Sequence, residues 1–267
     1  MFPDILDVGV LHIRTYGLCM AIGFLVCWRV FEKISSRTDL SNLLFAMIVS
    51  GVAGSRAAYV IEHWREQFAD DPMSIIRVDQ GGLMFYGGLI LAVAVYLSWC
   101  ALKKENPLRL GDYLATVIPL GHAFGRIGCF FYGCCYGKVS DSVFAVEFPR
   151  GSPAWYEQTH NQLIAYSAQH SLAVLPTQLF EAGALLCLFV LLLYVRRKRK
   201  EAGFTVGVYL FSYAAIRFPI EYMRGDPRAE VGIFSISQAI SIVIACLGLS
   251  LMAYSLISSR NSAADGK

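Results

Sequence analysis

The chain has 267 residues, of which 56% are hydrophobic and only 16% are charged. Soluble domains carry about 25% charged residues, and the charges of this chain lie between long apolar runs, so the composition excludes an ordinary soluble globular protein. The net charge of +3 says little about partners, because the position of basic residues matters more than their sum in a membrane protein.

Seven apolar runs approach the roughly 20 residues that cross a bilayer as a helix. In chain order the predicted spans are 15–34, 42–62, 83–102, 112–132, 177–195, 204–222 and 233–257. We therefore expect an all-α, polytopic membrane protein with about seven transmembrane helices. No internal repeat is evident in the sequence, so residues 1–267 are expected to form a single transmembrane domain.

Basic residues gather in alternate connections between these spans. Lys103 and Lys104 follow the third span, the run 196–200 follows the fifth, and Arg260 lies in the C-terminal tail. Basic loops stay in the cytoplasm, so the C-terminus is predicted to be cytoplasmic and the N-terminus outside. The run 196–200 is interpreted as a topology determinant that contacts anionic lipids, and not as a nucleic-acid site. The longest connection, about 138–175, is then extracytoplasmic and is expected to form a cap.

Polar side chains gather at the outer ends of six predicted spans. Such groups are costly inside a membrane and usually face a cavity or a partner. They are Tyr16, Arg56, Tyr86, Arg126, Gln178, Glu181, Arg217, Glu221 and Arg224. The cytoplasmic halves of the spans hold nothing comparable, so the sequence predicts one site at the depth of the outer leaflet.

The spacing of the sixth-span residues supports this prediction. Arg217, Glu221 and Arg224 follow one another at i, i+4 and i+7 and therefore share one helix face. Arginine binds phosphate through two parallel hydrogen bonds better than lysine does, so Arg126 and Arg217 indicate an anionic lipid head group as the ligand. The alternative interpretation is that Arg217 and Glu221 form a structural ion pair.

The stretch 125–137, GRIGCFFYGCCYG, places four glycines in thirteen residues at the end of the fourth span. Irregular backbone at membrane depth is tolerated only where it is buried in protein or lines a cavity, so this stretch predicts a binding site. Its cysteines, Cys129, Cys134 and Cys135, raise a metal or redox alternative. Zinc sites usually combine paired cysteines with further ligands, and no second pair lies nearby, so packing is favoured and no metal is expected. A disulfide on the oxidising outer face stays open.

The stretch 125–137 resembles the signature of the prolipoprotein diacylglyceryl transferase family, in its cysteine-containing variant. Further segments resemble family elements in the same order along nearly the whole chain: 13–18, 54–56, 82–88, 176–181 and 217–224. The resemblance implies a bacterial inner-membrane enzyme whose active site faces the outer leaflet. It implies transfer of a diacylglyceryl group from phosphatidylglycerol to the lipobox cysteine beside a prolipoprotein's signal peptide, the first step of lipoprotein maturation. No cofactor is expected.

The resemblance also implies roles for individual residues. Arg126 and Arg217 are expected to stabilise the leaving phosphate, and Glu221 to orient Arg217. Substrate contacts or supporting hydrogen bonds are expected from Tyr16, Arg56, Gly128, Cys129, Gly137, Gln178, Glu181 and Arg224.

The chain departs from the family pattern where a base is needed. Tyr86 stands where the family usually has a histidine, and Leu175, Cys129 and Cys134 also replace common family residues. A thiol with a pKa near 8.5 needs help to ionise, so either Tyr86 acts as the catalytic base or the arginines lower the substrate thiol's pKa. His122 is interpreted as structural.

Two other functions stay open at this point. The missing histidine also fits a diverged paralogue that binds lipid or signal peptides without catalysis. A membrane thiol-redox protein that uses Cys134 and Cys135 is a further alternative.

Overall fold

The computed structural model describes residues 4–8, 11–69, 71–77, 81–228 and 230–265. A long helix lies at each of the seven predicted spans. A short α-helix, a π-helical turn (Trp64–Phe68), a 3₁₀ turn (Pro72–Ile76) and two antiparallel hairpins accompany them in the described part of the chain. In chain order the elements are β1 (Asp4–Val8), β2 (Leu11–Arg14), α1 (Thr15–Ser35), α2 (Thr38–Glu62), α3 (Phe85–Lys103), α4 (Pro107–Tyr132), α5 (Pro153–His160), α6 (Thr177–Lys198), α7 (Phe204–Met223), β3 (Glu230–Val231), β4 (Phe234–Ser235) and α8 (Ile236–Asp265). The fold class is all-α, as predicted.

Five of the long helices are long and apolar enough to cross a membrane: α2, α3, α4, α6 and residues Ile236–Asn261 of α8. In the most apolar window of α3 only 11% of the residues are buried within the protein, and in that of α8 only 17%. Apolar side chains that remain exposed along a whole helix need a lipid environment. The chain is therefore a polytopic membrane protein. That α1 and α7 also cross the membrane, and the direction of each span, stay predictions.

The start of α4 is set by a cap that the apolar pattern does not reveal. The side-chain oxygen of Asn106 accepts hydrogen bonds from the backbone N–H groups of Leu108, at 2.9 Å, and Arg109, at 3.1 Å. Asparagine before the first turn and proline at its first position are both favoured at helix starts. The helix thus begins at Pro107, ahead of the predicted span start at residue 112.

The chain divides into two compact units. The larger unit comprises Met1–Cys27 with Gly111–Lys267, and the smaller unit comprises Trp28–Leu110. Helices α1 and α4 each contribute residues to both units. The single transmembrane domain predicted from the sequence stays a prediction.

Small residues bring the helices of each unit close together. In the smaller unit, a Cβ atom on Gly54 of α2 would lie 2.5 Å from the carbonyl oxygen of Gly87 in α3. In the larger unit, a Cβ atom on Gly207 of α7 would lie 2.8 Å from the carbonyl oxygen of Gly248 in α8. Contact through small residues is typical of helix pairs in membranes, because it lets the two backbones approach.

The connection between α4 and α6 is ordered around its own small core. Tyr136, Phe148, Ala154 and Val174 are buried against one another. Isolated backbone bridges join the two sides of the connection, among them the bridge between Val146 and Val174. The position of this connection outside the membrane stays a prediction.

Candidate functional site

The glycine-rich stretch after α4 is held between the start of α6 and the end of α7. The chain turns at Gly133, whose φ of +84° is a left-handed conformation that favours glycine. The N–H of Gly137 then donates to the carbonyl of Leu175 at 2.8 Å, and the N–H of Lys138 donates to that of Met223 at 2.8 Å. These bonds bring three of the predicted site segments together within the larger unit.

Gly137 is at the tightest point of this junction. A Cβ atom there would lie 2.7 Å from both the Cβ atom and the carbonyl oxygen of Leu175, and 2.8 Å from the carbonyl oxygen of Met223. Backbone atoms cannot rotate aside as the end of a side chain can, so a Cβ atom does not fit at this position. Gly137 therefore positions the polypeptide chain, and its predicted contact with substrate stays a prediction.

The first turn of α6 binds the backbone of the cysteine pair. The Gln178 amide nitrogen donates to the carbonyl of Cys134 at 2.7 Å, and the Thr177 hydroxyl donates to the carbonyl of Cys135 at 2.9 Å. Both Thr177 and Gln178 are only 1% exposed. The side-chain carbonyl of Gln178 is buried and has no hydrogen-bond partner among the described residues.

Arg126 and Glu181 form a buried ion pair between α4 and α6. The Nε atom of Arg126 lies 3.1 Å from a carboxylate oxygen of Glu181, whose side chain is 1% exposed. The same Nε group donates to Nε2 of His122 at 3.2 Å. His122 therefore helps to orient Arg126, in agreement with the structural role expected for it.

Arg217 and Glu221 form a second buried ion pair, one turn apart on α7. The Arg217 Nη2 atom lies 2.5 Å from the Glu221 carboxylate and donates to the hydroxyl of Ser237 at 3.3 Å. The Ser235 hydroxyl donates to Glu221 at 2.9 Å. The Nη1 atom of Arg217 is buried and has no hydrogen-bond partner in the described part of the chain. Arg217 thus forms a structural ion pair through Nη2 and still has a hydrogen-bond donor, Nη1, that a ligand could use.

Tyr213 links the two ion pairs, and sequence reasoning missed it. Its ring lies 5.5 Å from that of His122, centroid to centroid. Both Tyr213 and His122 lie within electrostatic range of Arg126 and Arg217. The sequence could have indicated Tyr213, because it lies one turn before Arg217 on the same face of α7.

Arg224 lies just beyond α7 and is held by an acidic neighbour. Its guanidinium donates two hydrogen bonds to Asp226, at 2.8 and 2.7 Å, and also contacts the Cys135 side chain. Burial acts to lower the pKa of Arg224, but the hydrogen bonds to Asp226 and the contact with Cys135 raise it above its ordinary value. Arg228 also pairs with Asp226, at 2.9 Å. Arg224 is therefore charged and fixed in place.

Tyr16 lies against the glycine-rich end of α4. A Cβ atom on Gly128 would lie 2.9 Å from the Tyr16 ring, so the glycine makes room for the tyrosine. The Tyr16 side chain is 40% exposed, which agrees with a position at the rim of the site. One residue further on, Cys129 joins Cys134 and Cys135 in a group whose sulfur atoms all lie within 4.8 Å of one another.

Arg56 lies in the smaller unit, where backbone carbonyls hold its guanidinium. It donates to the carbonyl oxygens of Ser74 at 2.7 Å, Ile75 at 2.8 Å, Gly81 at 2.9 Å and Gly82 at 3.1 Å. All three of its nitrogen atoms take part, so Arg56 organises the connection between α2 and α3. Its contact with a lipid head group stays a prediction.

Tyr86 also lies in the smaller unit, in the first turn of α3. Its side chain is 62% exposed, and its ring meets the ring of Phe85 edge-on, with 5.7 Å between the centroids. Its role as a base stays a prediction, as do the substrate and catalytic roles of the other residues.

Comparison with known proteins covers nearly all of the chain. The family model for prolipoprotein diacylglyceryl transferase matches residues 3–254. The chain is 34% identical to the phosphatidylglycerol–prolipoprotein diacylglyceryl transferase of Pseudoalteromonas translucida, over 94% of this chain and 92% of the relative. It is 33% identical to a second such transferase, from Clostridium perfringens, over 90% of each chain. A relative with the same name from Vibrio cholerae is 32% identical over 95% of this chain and 91% of its own length.

Proposed function

Because the chain belongs to the prolipoprotein diacylglyceryl transferase family, we propose that it transfers a diacylglyceryl group from phosphatidylglycerol to the lipobox cysteine of prolipoproteins. In this reaction the cysteine sulfur bonds to the terminal glyceryl carbon of the lipid. The bond from that carbon to the phosphate oxygen breaks, and glycerol 1-phosphate leaves with the electron pair. The products are a thioether-linked lipoprotein precursor and an anionic leaving group.

The observation that carries this proposal is the buried Arg217 donor. Buried polar groups are almost always hydrogen-bonded. An unpaired neutral group costs about 1–3 kcal/mol, and an unpaired charged donor costs more. A phosphate oxygen of the lipid supplies the missing acceptor for Nη1. The ion pair with Glu221 fixes the guanidinium in advance. Charge that develops on the leaving phosphate then meets a donor that needs no reorganisation.

Arg126 supplies the second positive charge of the phosphate site. Its Nε atom is occupied by Glu181 and His122, which fixes the plane of the guanidinium. Its terminal nitrogens carry the remaining donors, as in other arginines that bind phosphate. Two arginines held by buried carboxylates form a fixed clamp for one anionic head group.

The thiol of the incoming cysteine must lose its proton to react. The positive field of the arginines favours the thiolate, since nearby cations lower the pKa of a thiol. The proton passes to solvent, or to Tyr86 on the exposed start of α3 when that side chain is a phenolate, because a neutral phenol accepts no proton.

The proposed location follows from the distribution of charge. We place the chain in the bacterial inner membrane, with basic loops in the cytoplasm. The site then faces the outer leaflet, where secreted prolipoproteins emerge, and the connection 138–175 forms a cap on a single transmembrane domain.

A transfer assay with the purified protein tests the proposal. Phosphatidylglycerol and a lipobox peptide are incubated with the protein, and the peptide mass is followed for a diacylglyceryl increment. Arg217→Ala is expected to lower the rate at least about 100-fold, the usual effect of removing one donor to a developing oxyanion.

The matched control is Arg37→Ala, which removes an exposed arginine that pairs with Asp39 at 2.6 Å. It is expected to leave the rate unchanged. If the wild-type protein produces no increment under conditions where a relative works, the transfer proposal is wrong and lipid or signal-peptide binding without catalysis becomes the better interpretation. If Arg217→Ala keeps most of the activity, the leaving-group role is wrong.

A further inference from the structure

Three cysteine sulfurs meet beside the arginine site, and the transfer reaction uses none of them as a nucleophile. The sulfur atoms of Cys129, Cys134 and Cys135 all lie within 4.8 Å of one another. Within the described residues, they form the one group of three or more metal-ligating side chains at such distances. A metal ion with three sulfur ligands at about 2.3 Å requires sulfur–sulfur distances of roughly 4.0 Å. The cluster therefore needs only small side-chain movements to hold an ion.

The backbone that carries these sulfurs is fixed from outside the cluster. The carbonyls of Cys134 and Cys135 are bound by Gln178 and Thr177 from α6. Cys135 adopts a φ of +63°, which is uncommon for a residue other than glycine. This conformation lets two adjacent cysteines and one from the preceding helix direct their side chains to one place. Metal sites depend on such prior positioning of their ligands.

Guanidinium groups lie around the cluster. Arg224 contacts the Cys135 side chain, and Arg126 acts electrostatically on Cys129. Three thiolates with a monovalent or divalent cation carry a net negative charge, which neighbouring guanidinium groups stabilise. Soft thiolate ligands select copper(I) and zinc over magnesium or calcium.

We propose that Cys129, Cys134 and Cys135 form a three-thiolate binding site for a soft metal ion, copper(I) or zinc(II). The ligands bind as thiolates, and any proton that a thiol carries before binding is released to solvent. Copper(I) fits three sulfur ligands alone, whereas zinc(II) takes a water molecule as the fourth ligand. The ion ties the end of α4 to the turn that precedes Gly137. The site lies beside the phosphate clamp, and the metal proposal does not rest on the transfer activity.

Metal titration of the reduced protein under anaerobic conditions tests the site. Copper(I) and zinc(II) are added in separate experiments, each in competition with a chromophoric chelator. We expect one ion per chain for at least one metal, and an X-ray absorption spectrum with three sulfur neighbours. The spectra should differ in the number of light-atom neighbours of the metal. Zinc(II) is expected to have one, the oxygen of the added water, and copper(I) is expected to have none.

Variants assign the ligands. Cys134→Ser is expected to weaken binding by at least about 100-fold, because even the loss of a residue that only supports a metal ligand costs about 10–100-fold. Cys187→Ser, which alters an exposed cysteine of α6, is expected to bind the metal as the wild type does.

A footprinting experiment on the wild-type protein keeps the test independent of variant folding. Bound metal is expected to protect Cys129, Cys134 and Cys135 from alkylation relative to the metal-free protein. If neither metal changes the alkylation of the three cysteines, or if Cys134→Ser binds both metals as tightly as the wild type, the proposal is overturned.

Discussion

Replacing Glu181 by glutamine tests whether the Arg126 ion pair is a preformed receptor for an anionic lipid. The substitution keeps the shape of the side chain and removes its charge. The Glu181 carboxylate is 1% exposed and lies 3.1 Å from Nε of Arg126, which is itself 15% exposed. The variant therefore leaves a largely buried guanidinium without its counter-charge.

The expected loss of stability follows from this geometry. Breaking a buried ion pair by removing one partner costs about 3–5 kcal/mol. Here the glutamine oxygen can still accept from Arg126, and His122 keeps its bond at 3.2 Å, so we expect about 2–3 kcal/mol. By the usual relation for chains of this size, that corresponds to a decrease of about 4–12 °C in melting temperature.

Added lipid separates this explanation from simple damage to the fold. Phosphatidylglycerol brings a phosphate to Arg126 and restores the missing negative charge, so the deficit of Glu181→Gln is expected to be smaller with this lipid than without it. Zwitterionic phosphatidylethanolamine is expected to restore less.

Thermal unfolding in detergent, with and without each lipid, measures both effects. The control is Glu157→Gln on α5, where the carboxylate accepts one exposed hydrogen bond from Asn161 at 2.9 Å; its stability should change by less than about 0.5 kcal/mol. If Glu181→Gln loses no more stability than this control, or if phosphatidylglycerol leaves its deficit unchanged, the receptor role of the ion pair is refuted.

Three further predictions concern the scaffold around the site. Gly137→Ala is expected to lower the melting temperature, because its Cβ would lie 2.7 Å from the Leu175 carbonyl oxygen; Gly183→Ala, with open space around the new methyl group, should have no such effect in the same scan. Asp112→Asn is expected to cost about 1–3 kcal/mol, since the carboxylate accepts backbone N–H bonds at 2.8 and 3.0 Å at the start of α7, and hydrogen exchange should rise there. Arg56→Lys cannot reproduce four bonds to carbonyls, so faster proteolysis between α2 and α3 is expected; an unchanged cleavage rate would contradict the organising role.

Relations within one helix were open to prediction from the sequence. A helix places residues three and four apart on the same face, and so the pairing of Arg217 with Glu221 was foreseen as an alternative and is observed at 2.5 Å. The same rule could have indicated Tyr213. The apolar runs located all seven long helices, because the lipid environment requires long stretches without charge.

Relations between helices were decided only by the tertiary structure. The sequence placed Arg126 and Glu181 at a similar depth, but their pairing depends on how α4 packs against α6. It grouped Arg56 with the other arginines, whereas the fold surrounds that side chain with carbonyls of its own connecting segment.

The arrangement of the three cysteines also depends on the tertiary structure. Spacing along the chain favoured packing for Cys129, Cys134 and Cys135, and the turn held by α6 brings their sulfurs within 4.8 Å. Local periodicity is a property of the backbone and can be read from the chain, but contacts across many residues depend on which surfaces pack together. For this protein the sequence located the seven long helices, indicated the family and singled out most of the polar residues of the candidate site. Packing decided which of those residues became partners.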